Sequence, residues 1–323
     1  MSETTIKPAG NLGKTISTIL VKYSIYFILF LLIAILSIMS PAFLKPMNLI
    51  NIIRQISLIS IIGFGVTMVI ITTGIDLSSG SVIAVAGIMA ANFAHPESGY
   101  PLIVPIIMGL LAGLLAGLVN GYLVAFVKLP AFIATLGMML SFRGIAYVLS
   151  KGHPITGFTP EFDFIGSGKW LGLPVMIYVL IIAGILSYII LRHTKTGKCI
   201  YAIGGNQQAA VVSGINVRKN LMFVYAYAGI MSALSGIMLT SRLSSGQPTA
   251  GLTYEMDAIS SAVIGGTSLS GGIGTIQGTM IGALIIGVLN NGMDLMHISA
   301  YYQQITKGVI IVLAVILDKA RNK

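Results

Sequence analysis

Long apolar stretches separated by short polar segments dominate this chain. A helix needs about 20 apolar residues to cross the hydrocarbon core of a membrane. The pattern predicts about ten such helices, and therefore an all-α polytopic membrane protein. The predicted spans are residues 24–43, 50–72, 79–94, 101–126, 130–149, 174–192, 220–241, 256–270, 276–294 and 301–317.

Three of these spans, 79–94, 256–270 and 276–294, are short or interrupted by glycine and serine. The clearest interruption is residues 265–272, Gly-Gly-Thr-Ser-Leu-Ser-Gly-Gly. Interrupted backbone at membrane depth is tolerated only where it is buried in protein or lines a water-filled cavity. We therefore expect some broken or half-length helices among the ten.

The pattern predicts one transmembrane domain, residues 24–317, with its longest cytoplasmic loop at about 192–220. Short tails, residues 1–23 and 318–323, flank it. The first apolar stretch is too long for a signal peptide, and no small-residue cleavage site precedes Pro41, so we expect it to remain as an anchor.

Composition supports a membrane protein and charge orients it. Only 9% of the residues are charged, against about 25% in soluble domains. The net charge of +10 does not indicate nucleic-acid binding, because the basic residues lie mostly in short loops. With both termini in the cytoplasm, twelve of the 19 Lys and Arg residues lie on the cytoplasmic side and five on the other. This bias follows the positive-inside rule.

No motif predicts an enzyme, a cofactor or a metal site. Gly13-Lys14-Thr15 resembles the end of a phosphate-binding loop, but Pro8 occupies the position of its first glycine. Gly272–Gly274 begins a dinucleotide fingerprint, but Gln277 replaces its last glycine. The four histidines lack the spacing of metal ligands, and the single Cys199 cannot form an intrachain disulfide.

Arg143 lies in an otherwise apolar span, where a charge costs about 2.5–3.5 kcal/mol. Two interpretations stay open: Arg143 lines or braces a polar translocation pathway, or it is a structural clamp on backbone carbonyls or on an acid of another helix. Asp76 and Asp257, near span ends, are candidates for the pathway or for helix N-caps. For the helix after Asp76 the competing caps are Ser78, Ser79 and Ser81. Lys307 lies close enough to the outer interface for its ammonium to reach the headgroups.

Asn120 and Asn290 occupy similar positions in the fourth and ninth spans, each following a glycine three residues earlier. The fourth and ninth spans are five apart, an odd number, so they would cross the membrane in opposite directions. The match therefore suggests an inverted repeat, a frequent transporter design. Both amides are candidates for a path for a hydroxylated solute. Plain helix packing through small residues and buried amides is the alternative.

The cytoplasmic loop contains a short predicted helix. Asn206 is a favourable N-cap, residues 207–213 form two turns, and Gly214 is a typical C-terminal stop. We expect Ala209 and Ala210 to present a smooth face to a partner. The alternative is that this helix packs against the protein's own membrane domain.

Several segments together resemble the permease subunit of ribose-type sugar ABC importers, from about residue 40 to the C-terminus. Their order and spacing, rather than any one of them, carry the resemblance. They are residues 73–80 (TGIDLSSG), 131–136 with 143–144 (AFIATL and RG), 204–217 (GGNQQAAVVSGINV), 242–251 (RLSSGQPTAG), 255–259 (EMDAI) and 265–272 (GGTSLSGG).

The resemblance implies a bacterial inner-membrane subunit that imports a monosaccharide, with ribose the closest match. Its implied partners are a second permease subunit, two copies of a cytoplasmic ATP-binding subunit and a periplasmic sugar-binding protein, which would meet the outer loops at residues 151–173 and 242–255. The short cytoplasmic helix would be the coupling helix that docks on the ATPase. Its candidate residues are Gly204, Gly205, Asn206, Ala209, Ala210, Gly214 and Ile215.

A secondary transporter driven by a proton or sodium gradient is the alternative function. It would need membrane carboxylates for ion coupling, and the only acids near span interiors, Asp76, Asp257 and Asp294, all lie near span ends. The two functions differ in whether the chain transports alone or only with an ATPase.

Overall fold

The computed structural model describes residues 12–321, which fold into thirteen α-helices, one 3₁₀ turn at Pro96–Ser98 and four strands of two residues. The helices are α1 (Leu12–Met39), α2 (Pro46–Ile71), α3 (Ser79–Phe93), α4 (Ile103–Ala125), α5 (Ala131–Leu149), α6 (Pro160–Ser167), α7 (Val175–His193), α8 (Lys195–Gly205), α9 (Gln207–Val212), α10 (Val217–Leu243), α11 (Tyr254–Ile264), α12 (Ile276–Leu295) and α13 (Ala300–Arg321). The strands are β1 (Ile155–Thr156), β2 (Lys169–Trp170), β3 (Leu173–Pro174) and β4 (Ser245–Gly246).

The all-α membrane fold is confirmed, and a helix coincides with each predicted span. Within the described residues, six helices are long and apolar enough to cross a membrane: α2, α4, α5, α7, α10 and α12. The count of ten spans therefore stays a prediction. The loop expected at 192–220 holds two helices, α8 and α9, of which only α9 was predicted.

The broken spans are confirmed at two of the three predicted places. Helix α3 has 15 residues and α11 has 11, so at 1.5 Å per residue they reach only about 22 Å and 16 Å, short of the ~30 Å hydrocarbon core. The expectation for residues 276–294 was wrong, because α12 is one continuous helix of 20 residues. The glycine-rich interruption lies before it.

Helices α2 and α10 form the centre of the bundle and pack against each other. Residues 56–71 of α2 are all buried. Such a helix is apolar on every side because every side meets protein. Two of its hydroxyls donate within the helix, Ser57 to the carbonyl of Ile53 and Thr67 to that of Gly63, each at 2.7 Å, whereas the Oγ of Ser60 has no partner in the described residues.

The two halves of the chain pack reciprocally around this centre. Helices α3 and α4 of the first half pack against each other and against α10, whereas α11 and α12 of the second half pack against each other and against α2. Small residues permit the close approaches: Gly113 and Gly117 of α4 face the α10 backbone, and Gly282 of α12 faces Ser261 of α11. This arrangement agrees with a two-fold repeat, whose inverted sense stays a prediction.

Two small antiparallel sheets lie in the connections at the end of the bundle opposite α8 and α9. Strand β1 pairs with β4, and Ile155 lies opposite Gly246. This pairing ties the connection between α5 and α7 to the one between α10 and α11. Strands β2 and β3 form a hairpin directly before α7.

Candidate functional site

A non-helical segment, residues 72–78, follows α2 and leads to the start of α3. Asp76 is 3% exposed, and its Oδ1 accepts hydrogen bonds from Ser78 N at 2.8 Å and Ser78 Oγ at 2.7 Å. The N-cap position of α3 belongs to Ser78. The capping interpretation of Asp76 was therefore wrong, because its carboxylate closes a turn two residues ahead of the helix.

Helices α4 and α5 hold this segment from two sides. Asn120 Nδ2 donates to Ser78 Oγ at 2.7 Å, which extends the hydrogen-bonded chain to Asp76. Thr135 Oγ1 accepts from Leu77 N at 3.2 Å and lies 3.0 Å from the carbonyl oxygen of Ile75. Thr135 lies in the quoted segment AFIATL but was not among the predicted site residues, because its polarity alone does not show which backbone it contacts.

Arg143 fastens the second non-helical segment, residues 244–253, to the start of α3. Its Nη1 donates to the carbonyls of Pro248 at 2.6 Å and Ala250 at 2.7 Å, and its Nη2 to the carbonyl of Gly80 at 3.2 Å. These bonds match the clamp interpretation, with carbonyls as the partners. For Pro248 and Ala250, which lie outside any helix, the guanidinium supplies the donor that a helix would have provided internally.

Glu255 meets the other side of Gly80. It is 8% exposed in the first turn of α11, and a side chain on Gly80 would clash with its carboxylate and with the carbonyl of Gly251. Helix N-termini favour negative charge, so this carboxylate suits the meeting point of α3 and α11. Glu255 was expected in an outer loop, although it belongs to the quoted EMDAI motif, and it instead lies buried in the first turn of α11.

Asp257 and Lys307 form a salt bridge between α11 and α13, with 2.8 Å between Asp257 Oδ2 and Lys307 Nζ. The two side chains are 5% and 20% exposed. The expectation that Lys307 reaches the headgroups was wrong, because a buried carboxylate lies within its reach. The capping interpretation of Asp257 was also wrong, since the N-cap position of α11 is Thr253.

The two predicted asparagines lie in different halves of the bundle. Asn120 and Asn290 are 1% and 3% exposed, and the Oδ1 of each has no hydrogen-bond partner in the described residues. The amide pair that bridges helices instead joins Asn291 to Asn48, with 2.9 Å and 2.8 Å between their amide groups. Both Asn120 and Asn290 therefore retain a buried acceptor.

A cavity of about 770 Å³ opens near residues 72–74, beside α9 and the first turns of α10. Thr73, Lys128, Gln207 and Arg218 supply polar side chains to its wall. The buried Tyr225 also borders the cavity, and its Oη has no partner in the described residues. The cavity thus offers polar groups on the same side of the bundle as α9.

Helix α9 has the predicted ends. Asn206 Oδ1 accepts from Ala209 N at 2.9 Å at its start. At its end Gly214 has a φ of +79°, and its N–H and that of Ile215 return to the carbonyls of Val211 and Ala210, each at 3.0 Å. This pattern is a Schellman motif, which supplies donors to the carbonyls of Ala210 and Val211 at the end of the six-residue helix.

The exposed face of α9 differs from the prediction. Ala209 is exposed, whereas Ala210 is 3% exposed and belongs to an apolar cluster with Ile203 and Val217. Val212 is 89% exposed. The helix is therefore anchored through Ala210 and presents Ala209 and Val212 outward.

Gly204 of α8 contacts the end of α2, just before residues 72–78, and the glycine-rich segment at residues 265–275. It is buried, and a side chain there would clash with the carbonyl of Ile71 at the end of α2 and with the backbone of Gly272. Gly272 N donates to that same carbonyl at 2.9 Å. Nearby, Tyr201 Oη donates to the carbonyl of Gly274 at 2.6 Å. The adjacent Gly205 is exposed with open space around it.

Comparison with known proteins establishes the family. A family model described as "Branched-chain amino acid transport system / permease component" matches residues 48–315. The chain belongs to this permease family. No solved structure matches it significantly.

Named relatives of this permease are sugar transporters. The ribose import permease protein RbsC of Bacillus subtilis is 46% identical over 283 residues, which cover 87% of each chain. RbsC of Haemophilus influenzae is 48% identical over 80% of this chain and 81% of its own. The D-allose transport system permease protein AlsC of Escherichia coli is 37% identical over 87% of this chain and 86% of its own. The resemblance to sugar ABC permeases is thereby confirmed.

Proposed function

We propose that this permease carries a monosaccharide, ribose in the first place, from the periplasm to the cytoplasm, driven by ATP hydrolysis on a separate subunit. The observation that carries the choice of solute is the identity of 45–48% to ribose import permeases over at least 80% of the chain. Relatives named for allose, galactose and xylose are 33–37% identical. The family description names amino acids, but the named relatives favour a sugar.

The proposed docking surface for the ATP-binding subunit is the outward face of α9 with its flanks. Gly205, Ala209 and Val212 form its exposed small and apolar part, and Asn206, Gly214 and Ile215 fix the two ends of the helix. A partner that covers Val212, which is 89% exposed, would gain free energy from removing its apolar surface from water. Ala210 and Gly204 face the protein interior instead, and they hold α9 and α8 against the membrane domain.

Movement of α9 would pass to the membrane domain through Gly204. This glycine contacts the end of α2, which leads into residues 72–78, and the glycine-rich segment at 265–275. Both segments lack helical hydrogen bonds and can change their dihedral angles more readily than a helix. Coupling requires that ATP-bound and ATP-free partners favour different arrangements of the spans, and these two segments are the proposed places of change.

The proposed translocation pathway uses residues near the two broken helices. Asp76, Asn120 and Asn290 place polar groups in the bundle interior, and the amide oxygens of both asparagines have no partner among the described residues. Sugar hydroxyls would satisfy such acceptors during passage. For Arg143 and Asp257 we propose bracing roles, since their side chains already bind carbonyls and Lys307, respectively.

The proposed complex contains two permease subunits, two cytoplasmic ATP-binding subunits and a periplasmic sugar-binding protein, with lipid around the spans. Both permease termini lie in the cytoplasm in this proposal, as the distribution of basic residues favours. The binding protein would then meet the connections that contain β1, α6 and β4. These lie at the end of the bundle opposite α9.

Ala209→Trp tests the docking surface, because residue 209 is exposed and the substitution adds bulk only outside the fold. We expect the variant to lose both co-purification with the ATP-binding subunit and ATP-dependent uptake. Ile182→Trp is the matched control, since Ile182 is 66% exposed on α7, remote in sequence from α9. Normal size-exclusion behaviour of both variants would establish folding. Unchanged assembly and uptake in Ala209→Trp would contradict the proposal.

A further inference from the structure

The hairpin between α6 and α7 has an unusual residue at its tip. Lys169 pairs with Pro174 and Trp170 with Leu173, which leaves the two-residue turn Leu171–Gly172. Both turn residues have positive φ, +48° and +82°, as in a type I′ turn. Asn, Asp or Gly is usual at the first position, because they tolerate this conformation. Leucine has no conformational advantage there.

Three neighbouring apolar side chains of this hairpin are exposed. Leu171 is 80% exposed, Trp170 58% and Leu173 50%. Single exposed apolar residues are ordinary, but a contiguous apolar group with a strained leucine at its tip indicates an interaction surface.

The hairpin continues a lipid-facing row of α7. The rings of Trp170 and Tyr178 lie 5.1 Å apart, and Tyr178 Oη donates to the carbonyl of Trp170 at 2.8 Å. On the same helical face as Tyr178, at spacings of four, three and four residues, follow Ile182, Ile185 and Ile189, which are 66%, 55% and 46% exposed. Helix α7 is one of the six candidate membrane spans, so this row faces lipid.

We propose that residues 169–173 are an interfacial anchor that inserts Leu171 and Trp170 into the bilayer at the Val175 end of α7. Tryptophan and tyrosine favour the membrane–water interface because their rings are apolar and their polar atoms reach water. Lys169 extends its ammonium toward lipid phosphates from the neighbouring position. The anchor fixes the depth at which α7 enters the membrane, whichever solute the protein carries.

This inference divides the connection between α5 and α7. The resemblance assigns residues 151–173 as a whole to the sugar-binding protein, whereas the continuity with the α7 row assigns the hairpin to lipid. The part before it, with β1 and α6, remains available for a protein partner. A second copy of the chain is the other competing occupant of the hairpin.

The experiment uses the intrinsic fluorescence of Trp170, which is the only tryptophan in the chain. The full-length permease is reconstituted in vesicles that contain phosphatidylcholine brominated at a shallow or a deep acyl position. We expect strong quenching by the shallow bromines, weaker quenching by the deep ones, and little by aqueous iodide. Strong iodide quenching with no bromine quenching would overturn the proposal.

Leu171→Asn sharpens the test, because asparagine suits the turn better than leucine but partitions poorly into lipid. We expect bromine quenching to fall and iodide quenching to rise. Leu44→Asn is the control, a leucine 57% exposed in the turn between α1 and α2, and it should leave the quenching of Trp170 unchanged. If Trp170 is shielded from iodide only when the sugar-binding protein is added, the occupant is the binding protein. If it is shielded only at a higher protein-to-lipid ratio, the occupant is a second copy. Either result refutes the lipid anchor.

Discussion

The salt bridge between Asp257 and Lys307 is expected to hold α13 in the bundle. Of the packing partners of α13, α11 is the principal one, and most of the apolar side chains of α13 are exposed. The informative perturbation is Lys307→Met, which keeps the length of the side chain but removes its charge. It leaves the Asp257 carboxylate buried without its partner.

The size of the effect follows from the burial of the pair. Removing one partner of a fully buried ion pair costs about 3–5 kcal/mol, whereas exposed pairs contribute at most about 1 kcal/mol. The side chain of Asp257 is 5% exposed and that of Lys307 20%, so the pair lies nearer the buried limit. We expect Lys307→Met to lower the free energy of unfolding by about 2–4 kcal/mol.

A double-mutant cycle separates the pair from the individual side chains. Asp257→Asn, Lys307→Met and the double variant are unfolded in detergent micelles and compared with the unchanged protein. We expect the double variant to recover about 1–3 kcal/mol relative to the sum of the two single changes. Strictly additive effects would show that the 2.8 Å contact contributes no coupling, and would refute the reasoning.

Three further predictions concern the clamp and the coupling region. Arg143→Met should lower the free energy of unfolding by about 2–4 kcal/mol, because the non-helical carbonyls of Pro248 and Ala250 lose their donor, and Arg143→Lys should restore only part of it; chemical unfolding measures both, and equal stability would contradict the clamp. Gly204→Ala should impair folding or uptake because of its clash with Ile71, whereas Gly205→Ala should fold and transport normally; size-exclusion profiles and uptake are compared, and equal profiles together with equal uptake would be the opposing result. Asn206→Ala should cost about 1 kcal/mol of local stability through loss of the cap; hydrogen exchange at α9 should rise, and unchanged protection would argue against it.

Local signals predicted part of this structure well. The ends of α9 follow from Asn206 and Gly214, because a cap and a left-handed stop act within a few residues of the chain. That α3 and α11 are short was also predictable from the sequence, because the length of each apolar stretch and the glycines beside it limit how far the helix extends.

The contacts that individual side chains make in the folded protein could not be predicted from the sequence. The exposure of Ala210 was predicted wrongly because a six-residue helix does not reveal which side meets the protein. Glu255 is buried because α3 begins beside it, and Lys307 turns inward because Asp257 lies within reach. The contacts of Glu255 and Lys307 join segments 50 or more residues apart, which periodicity within one helix does not specify, whereas Ala210 packs against the neighbouring Ile203 and Val217.

Uptake by reconstituted vesicles tests the central proposal most directly. The permease is incorporated alone, or with its ATP-binding subunit and sugar-binding protein, and labelled ribose is followed with ATP, without ATP, and with an imposed proton or sodium gradient. The account predicts uptake only when the ATP-binding subunit and ATP are both present. Ribose accumulation by the permease alone, driven by an ion gradient, would contradict it and favour a secondary transporter.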